Sequence, residues 1–455
     1  MQMGAGASVS KEEVQNMPQY AILGGDSKFE ELKDEEGKVP LEKVQDPYLL
    51  YGGSYAGDKK DSADFKYVTF TERPQFTEKH KSAMAKYVTQ ELFDKLKDVT
   101  SEKGYTFSNA IMTGVVTPHL GVGATAGDED CWEKFKDLYY PIIKDWHGYD
   151  AYTQKHPTDL NYESLVFTDE QRATFKDYVK STRIRAARNI SGFSLPTGAT
   201  DEERAGVETV LKQAFAGLEG ELAGTYYSLV GMTDEQRDFL LSKGFLFQIP
   251  SARNLLTGAG AARSWPNSRG IFHNEAQTAL AWVNEEDHCR IISMEFSGDI
   301  PSVFKRFCEL SDAIKKSATA NNAKLMWNET LGFMGTCPSN LGTGLRASGM
   351  VHLPEFNKLL ETATEHEDKE LLESVCAAFD LQPRGSAGEH SPAEGGKFDV
   401  SNKQRLGFSE VQLVQKMIDG ISKVIEFEKM LAAGSTPAEV RAKVTEMKAA
   451  MATTA

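Results

Sequence analysis

The spacing of apolar residues changes twice along this chain, and those changes limit it to a helical unit followed by a mixed one. Residues 1–75 are rich in Gly, Lys, Glu, Asp and Tyr with no sustained apolar repeat, which reads as a partly mobile N-terminal extension. From Glu78 onward Met84, Tyr87, Val88, Leu92, Phe93 and Leu96 recur at helical spacing. After the glycine-rich residues 120–128, Trp132, Phe135, Leu138 and Tyr139 continue it. These runs predict an all-helical domain over residues 76–150. A largely polar passage with His156-Pro157 then reads as a linker, residues 151–164. Beyond it, two apolar runs at 278–283 and 289–294 flank the polar residues 284–288 and predict a β-hairpin. Val303, Phe304, Phe307, Leu310 and Ile314 predict one helix, and Val414, Met417, Ile418, Ile421 and Ile425 another. This part, residues 165–432, reads as an α+β domain. A helical tail over 433–455 opens on Thr436-Pro437-Ala438-Glu439, which has the form of a capping box. The expected class is α+β: a small all-α domain, then a larger domain with an antiparallel sheet flanked by helices, and an active site in the cleft between them.

Charge sharpens the search for a site. With 66 acidic against 51 basic residues the net charge is −15, which argues against nucleic acid as a partner. Against that background a local cluster of arginines would be informative. No apolar run reaches the roughly 20 residues of a bilayer crossing, so a cytoplasmic protein is expected. Five scattered cysteines without a C-x-x-C spacing point away from a disulfide framework or a zinc site.

Three short stretches carry candidate chemistry. Ser181-Thr182-Arg183-Ile184-Arg185 would put Arg183 and Arg185 on one face of a strand; alone, the R-x-R spacing is a weak signal and reads first as a solvated basic strand. Asn284-Glu285-Glu286-Asp287-His288-Cys289-Arg290 sets three carboxylates in a turn ahead of an arginine, and by itself could be a solvated acidic turn. Cys337-Pro338-Ser339-Asn340-Leu341-Gly342-Thr343, followed by Arg346, pairs a thiol with a hydroxyl, although Cys337 could also be an inert buried thiol.

Taken in order, S-T-R-x-R, N-E-E-D-H and C-P-S-N-L-G-T resemble the phosphagen kinases, the arginine and creatine kinase family. The resemblance covers roughly residues 80–430 and extends to Trp265-Pro266, Arg269-Gly270-Ile271-Phe272-His273-Asn274 and Asp399-Val400-Ser401-Asn402-Lys403. It implies reversible transfer of the γ-phosphoryl group between ATP/ADP and a small guanidino compound, with Mg²⁺, for ATP buffering. It assigns the triphosphate to Arg183, Arg185, Arg290, Arg346 and Arg384. Glu286 and Glu389 would grip the acceptor guanidinium, Glu286 as the base, and Cys337 would tune the site as a thiolate. Mg²⁺ would be held by phosphates and water, with Glu285 or Asp287 in its outer shell. Gly385, Gly388, Gly395 and Gly396 around Glu389 imply a loop that closes over substrate.

Within the same resemblance, Gly121, Val122, Gly123 and Thr125 fall on the loop that meets the acceptor, and residues 114–128 have the short length of arginine kinases. Leu120 and Thr125 replace the Ser and Tyr usual there. Glu389 speaks against creatine. Arginine is therefore the leading acceptor and taurocyamine or hypotaurocyamine the main competitor. A catalytically silent, membrane-tethered binding protein is a further alternative. Gly244 and Met350 stand where the family places histidines near adenine, which implies weaker base selectivity. Met3-Gly4-Ala5-Gly6-Ala7-Ser8 reads as an acylation signal at Gly4 if translation starts at Met3; one acyl chain would give a weak membrane tether, with membrane or flagellar association. A monomer or homodimer is expected.

Overall fold

Capping signals in the sequence set where the helices begin. In the computed structural model, which describes residues 8–15, 29–30, 33–40, 69–247, 250, 255–385 and 394–454, the helical domain is built from α1 (Ala83–Tyr87), α2 (Gln90–Leu96), α3 (Phe107–Val116) and α4 (Lys136–His147). Thr106 and Asn109 form a reciprocal capping box at the start of α3, and every residue of that helix is buried. Helix α4 stops at Gly148, which takes the left-handed conformation (φ 66°) that a side chain disfavours. Phe93, Phe107, Phe135, Tyr139 and Ile142 pack around α3 as this domain's core. Residues 151–164 are pinned rather than loose: Ala151 and His156 are buried, and His156 Nδ1 accepts from Gly407 N at 3.1 Å. In the N-terminal extension, Ser8–Ser10 pairs antiparallel with Lys38–Pro40, and Val9 and Val39 are buried.

The larger domain carries an eight-stranded sheet. Its strands are β1 (Val179–Arg188), β2 (Gly224–Ser228), β3 (Gly270–Asn274), β4 (Ala279–Val283), β5 (Cys289–Glu295), β6 (Arg346–His352), β7 (Leu381–Arg384) and β8 (Lys397–Asn402). The order is β7-β8-β6-β1-β5-β4-β3-β2, with every pairing antiparallel. The hairpin β4–β5 lies where the apolar runs predicted it. Helices α5 (Asp201–Ala216), α6 (Ile300–Ala320) and α7 (Glu410–Ala432) cover one face. Because side chains alternate along a strand, Ile184, Ala186, Ile291 and Ala347 enter that helix-packed core. Their neighbours Arg183, Arg185, Arg290 and Arg346 are sent to the opposite face. The tail helix α8 (Pro437–Thr454) begins with the expected capping box, Thr436 N donating to Glu439 Oε2 at 2.7 Å and Glu439 N to Thr436 Oγ1 at 3.3 Å, and Val440 is buried.

Candidate active site

Strand register gathers the arginines. Arg185 on β1 lies opposite Arg346 on β6 on one side and Ile292 on β5 on the other, while Arg290 opposes Ala187 two pairs further along. Together with Arg405, Asn340, Gly344 and the Ala186–Ala187 backbone, Arg185, Arg290 and Arg346 line one cleft. Like charges directly opposite each other destabilise a sheet, so this register requires a compensating reason. Arg183 and Arg290 also lie over the Trp282 ring, at 5.8 and 5.7 Å from its centroid. Arg384 ends β7, opposite Asp399.

The cations are not equally neutralised. Arg346 meets Asp399 at 2.5 Å and donates to Ser401 Oγ at 3.2 Å. Arg290 meets Glu285 at 3.0 Å and Glu286 at 2.8 Å. Burial alone would lower the pKa of Arg290, but Glu285, Glu286 and Asp287 hold it above the usual guanidinium value. The guanidinium groups of Arg183 and Arg185, by contrast, have neither a hydrogen-bond nor an ion-pair partner among the described residues. Burial and then Arg346 and Arg290 push Arg183 down to about 10. Arg185 is driven well below the ordinary value by burial, then by Arg290, Arg183 and Arg346. Arg405 is held at about 10 by burial and then by Arg346, Arg384 and Arg290. A polyanion would relieve that stored repulsion, so the residues present fit a triphosphate. No sequence motif marks Arg405. It lies just beyond the Asp399–Lys403 stretch, and only the fold carries it into the cleft.

The other side of the cleft is built on a turn. Asn284, at φ 54°, opens it, and Asn284 N donates to His288 O at 3.0 Å. Glu286 then projects with both oxygens engaged: Oε2 on Arg290, and Oε1 accepting from Asn340 Nδ2 at 2.9 Å. The Asn340 side-chain oxygen accepts in turn from Arg405, which links the two sides. Cys337 is buried, with its sulfur 3.1 Å from Ser339 Oγ. Burial, then Glu286, pushes the thiol up to about 12 against the lowering effect of Ser339, so it is a neutral thiol.

Two expected roles look different in place. Asp287 is buried away from the cleft, its Oδ1 accepting from Asn189 Nδ2 and Thr336 N, each at 2.9 Å. Burial and then Glu286 raise it to about 6. This position suits a scaffold carboxylate better than the outer shell of a cation, and Glu285 is occupied by Arg290. No group of three or more His, Cys, Asp or Glu side chains among the described residues is placed to hold a metal, so Mg²⁺ here would depend on phosphate oxygens. In the glycine loop, Thr125 is fully buried, its hydroxyl 3.2 Å from Tyr105 Oη. A threonine is short enough to be absorbed into the helical core. Gly121 O and Val122 O accept from Ala83 N and Met84 N at 2.8 and 3.0 Å, and a side chain at Gly123 (φ 73°) would strike Ser82. Of the four residues expected to meet the acceptor, Gly121 alone is exposed. Gly244 sits at φ 67° just after the helix Asp234–Ser242, and Met350 lies between Asp399 and Ser181 on neighbouring strands. Glu389, Gly388 and Gly4 lie outside the described residues.

Comparison with known proteins agrees with this arrangement. Residues 78–144 match the N-terminal domain of ATP:guanido phosphotransferases, and residues 206–431 match their C-terminal catalytic domain. The chain is 42% identical over 383 residues to the testis isozyme of creatine kinase from Oncorhynchus mykiss, covering 83% of this chain and 96% of that one. It is also 42% identical over 375 residues to the B-type creatine kinase of Gallus gallus, covering 82% and 94%. Among solved structures it resembles a lombricine kinase, with a TM-score of 0.72 and 38% identity over 80% of this chain and 96% of that one. The duplicated taurocyamine kinase of Schistosoma mansoni gives a TM-score of 0.70 and 34% identity over 79% of this chain and 49% of that longer one. No helix among the described residues is long and apolar enough to cross a membrane. With both domain models matched and relatives above 40% identity over most of its length, this chain belongs to the ATP:guanido phosphotransferases, the phosphagen kinase family.

Proposed function

We propose that the protein transfers the γ-phosphoryl group of MgATP reversibly to a small guanidino compound and so buffers ATP. The observation that carries this reading is the convergence of Arg183, Arg185, Arg290, Arg346 and Arg405 beside Glu286 and Cys337. The phosphate chain lies against the arginines, whose fixed charge stabilises the transferring group. The acceptor guanidinium replaces Arg290 on Glu286. As one acceptor nitrogen bonds to the γ-phosphorus, the bond to the bridging oxygen breaks and ADP leaves with that electron pair. The nitrogen's proton passes to Glu286, because a guanidinium with a pKa of about 12 or more is a poor nucleophile. Mg²⁺, when bound, neutralises phosphate charge. Arg384 completes the phosphate side, Glu389 grips the acceptor opposite Glu286, and Cys337 becomes a thiolate as the cationic acceptor arrives beside it. Glu285 would be free to serve the outer shell of Mg²⁺ if Arg290 turned to phosphate. Asp287 holds the turn.

For the acceptor, arginine is our first choice, on the short glycine loop and the second carboxylate Glu389. Taurocyamine comes next, and creatine has the support of the creatine kinases among the relatives. A coupled assay with MgATP against arginine, taurocyamine, hypotaurocyamine, lombricine, glycocyamine and creatine decides between them. Arginine should give the highest kcat/KM. Preference for another of the six replaces the acceptor and keeps the reaction, whereas no turnover with any overturns the reaction. Run with GTP beside ATP, the same assay should show similar turnover if Gly244 and Met350 weaken base selectivity, and strict ATP dependence rejects that.

A further inference from the structure

The turn that bears Cys337 does not belong to one domain. Cys337, Leu341, Met334 and Met326 pack into the same apolar cluster as Phe107, Tyr139 and Ile142 of the helical domain. Polar contacts hold it from both sides. Ala126 N, at the end of the glycine loop, donates to Thr336 O at 2.8 Å, and His147 Nε2, at the end of α4, lies 2.9 Å from Pro338 O. From the catalytic domain, Arg405 donates to Ser339 O at 3.1 Å, and Thr197 Oγ1 steadies the glycine loop itself by donating to Ala126 O at 2.6 Å.

Thr336 is where these contacts meet the acceptor carboxylates. It is fully buried. Its hydroxyl donates to Glu286 O at 2.6 Å, its N–H to Asp287 Oδ1 at 2.9 Å, and its carbonyl takes the bond from Ala126. The N–H and carbonyl bonds would exist for any residue of that backbone shape. The hydroxyl bond depends on the side chain, and it falls on the backbone of the residue whose carboxylate must be aimed.

We propose that Thr336 is a positioning residue that ties the docking of the helical domain, through Ala126, to the aim of Glu286 and the seating of Cys337. It touches neither phosphate nor acceptor. Its effect reaches the acceptor side of the site and leaves most of the phosphate side alone, because Arg183, Arg185, Arg290 and Arg346 are set by strand register. The proposal rests on Glu286 and Cys337 serving the acceptor, so one arm of its test needs no acceptor.

Thr336→Val keeps the branched shape and removes only the hydroxyl; Thr336→Ser restores the donor. With the best acceptor of the panel, Thr336→Val should lower kcat/KM for that acceptor about tenfold while the MgADP Kd stays within about twofold of the parent, and Thr336→Ser should recover most of the loss. In the substrate-free arm, iodoacetamide labelling of Cys337 followed by mass spectrometry should be several-fold faster in Thr336→Val and near the parent rate in Thr336→Ser. The proposal is overturned by parent-like labelling and kcat/KM in Thr336→Val, by failure of serine to rescue, or by equal losses for nucleotide and acceptor. Absence of turnover in the parent would count against the proposed reaction, with the labelling arm still deciding the role of Thr336.

Discussion

On the proposed phosphate side of the cleft, the Arg183 and Arg185 guanidinium groups are partly sequestered without an ion-pair partner among the described residues, and Arg185 faces Arg346 directly across the sheet. On the acceptor side, Glu286, Asp287 and Cys337 all have partners within the protein. The phosphate side therefore holds unspent repulsion that a bound polyanion releases, whereas the acceptor side must exchange one ion pair for another. In physical terms the nucleotide half is strained and poised, and the acceptor half is closed upon itself until Arg290 is drawn to phosphate. On the proposed reaction, a bound nucleotide that draws Arg290 away would leave Glu286 open to a guanidinium.

The sharpest way to break this comparison is to remove one cation from each half. Arg185→Ala should lower kcat about a thousandfold, the scale of losing a preorganised charge on a transferring phosphoryl group. Its Tm should stay level or rise, since the deletion relieves repulsion. Arg290→Ala should also abolish most turnover but lower the Tm by several degrees, because Glu285 and Glu286 are left partly buried without their cation. Thermal melts of both variants decide the matter; equal destabilisation would refute the strained-and-closed distinction. Next in size, Glu286→Gln should lower kcat about a hundredfold or more while leaving MgADP affinity within a few-fold, measured by steady-state kinetics and calorimetry. Unchanged kcat would reject Glu286 as the base.

How far the sequence disclosed these two halves differs for the same reason. The arginines lie on strands, where the alternation of side chains alone puts Arg183 and Arg185 on one face, and the β4–β5 hairpin placed Arg290 beside them. The acceptor half depends on long-range closure. Nothing local says that Asn340 bridges Glu286 and Arg405, that Thr336 reaches Glu286 O, or that Thr125 turns into the helical core to meet Tyr105. Arg405 escapes a sequence reading because its neighbours are ordinary loop residues. Asp287 reads as a cleft carboxylate because two acidic neighbours precede it, yet the turn directs it inward to Asn189. The passage around His156 reads as a plain linker because it is polar, but His156 N and Nδ1 are spent on backbone groups of distant segments, Glu329 O and Gly407 N.

The smallest predicted effect tests how the acceptor half is fastened. His147 is buried beneath the Cys337 turn, and burial first, offset in part by its bond to Pro338 O, brings it down to about 4. His288, which receives Ile190 N and lies 2.8 Å from Ser194 O behind the acidic turn, is likewise lowered to about 4 by burial. Both are neutral when folded. As the pH falls through about 6.5 the unfolded chain takes up these protons first, so the stability they contribute is complete above about 6.5 and is lost towards 4. Asp287, raised to about 6, works in the opposite direction by taking a proton while folded, which limits the net loss. The clean reading is therefore a difference between variants. Parent Tm should drop between pH 6.5 and 4.5, and His147→Gln, which keeps a donor for Pro338 O but cannot be protonated, should drop less, by the equivalent of about 1–2 kcal/mol. Parallel curves for the two proteins would mean that His147 is not the acid-sensitive fastening of the acceptor half.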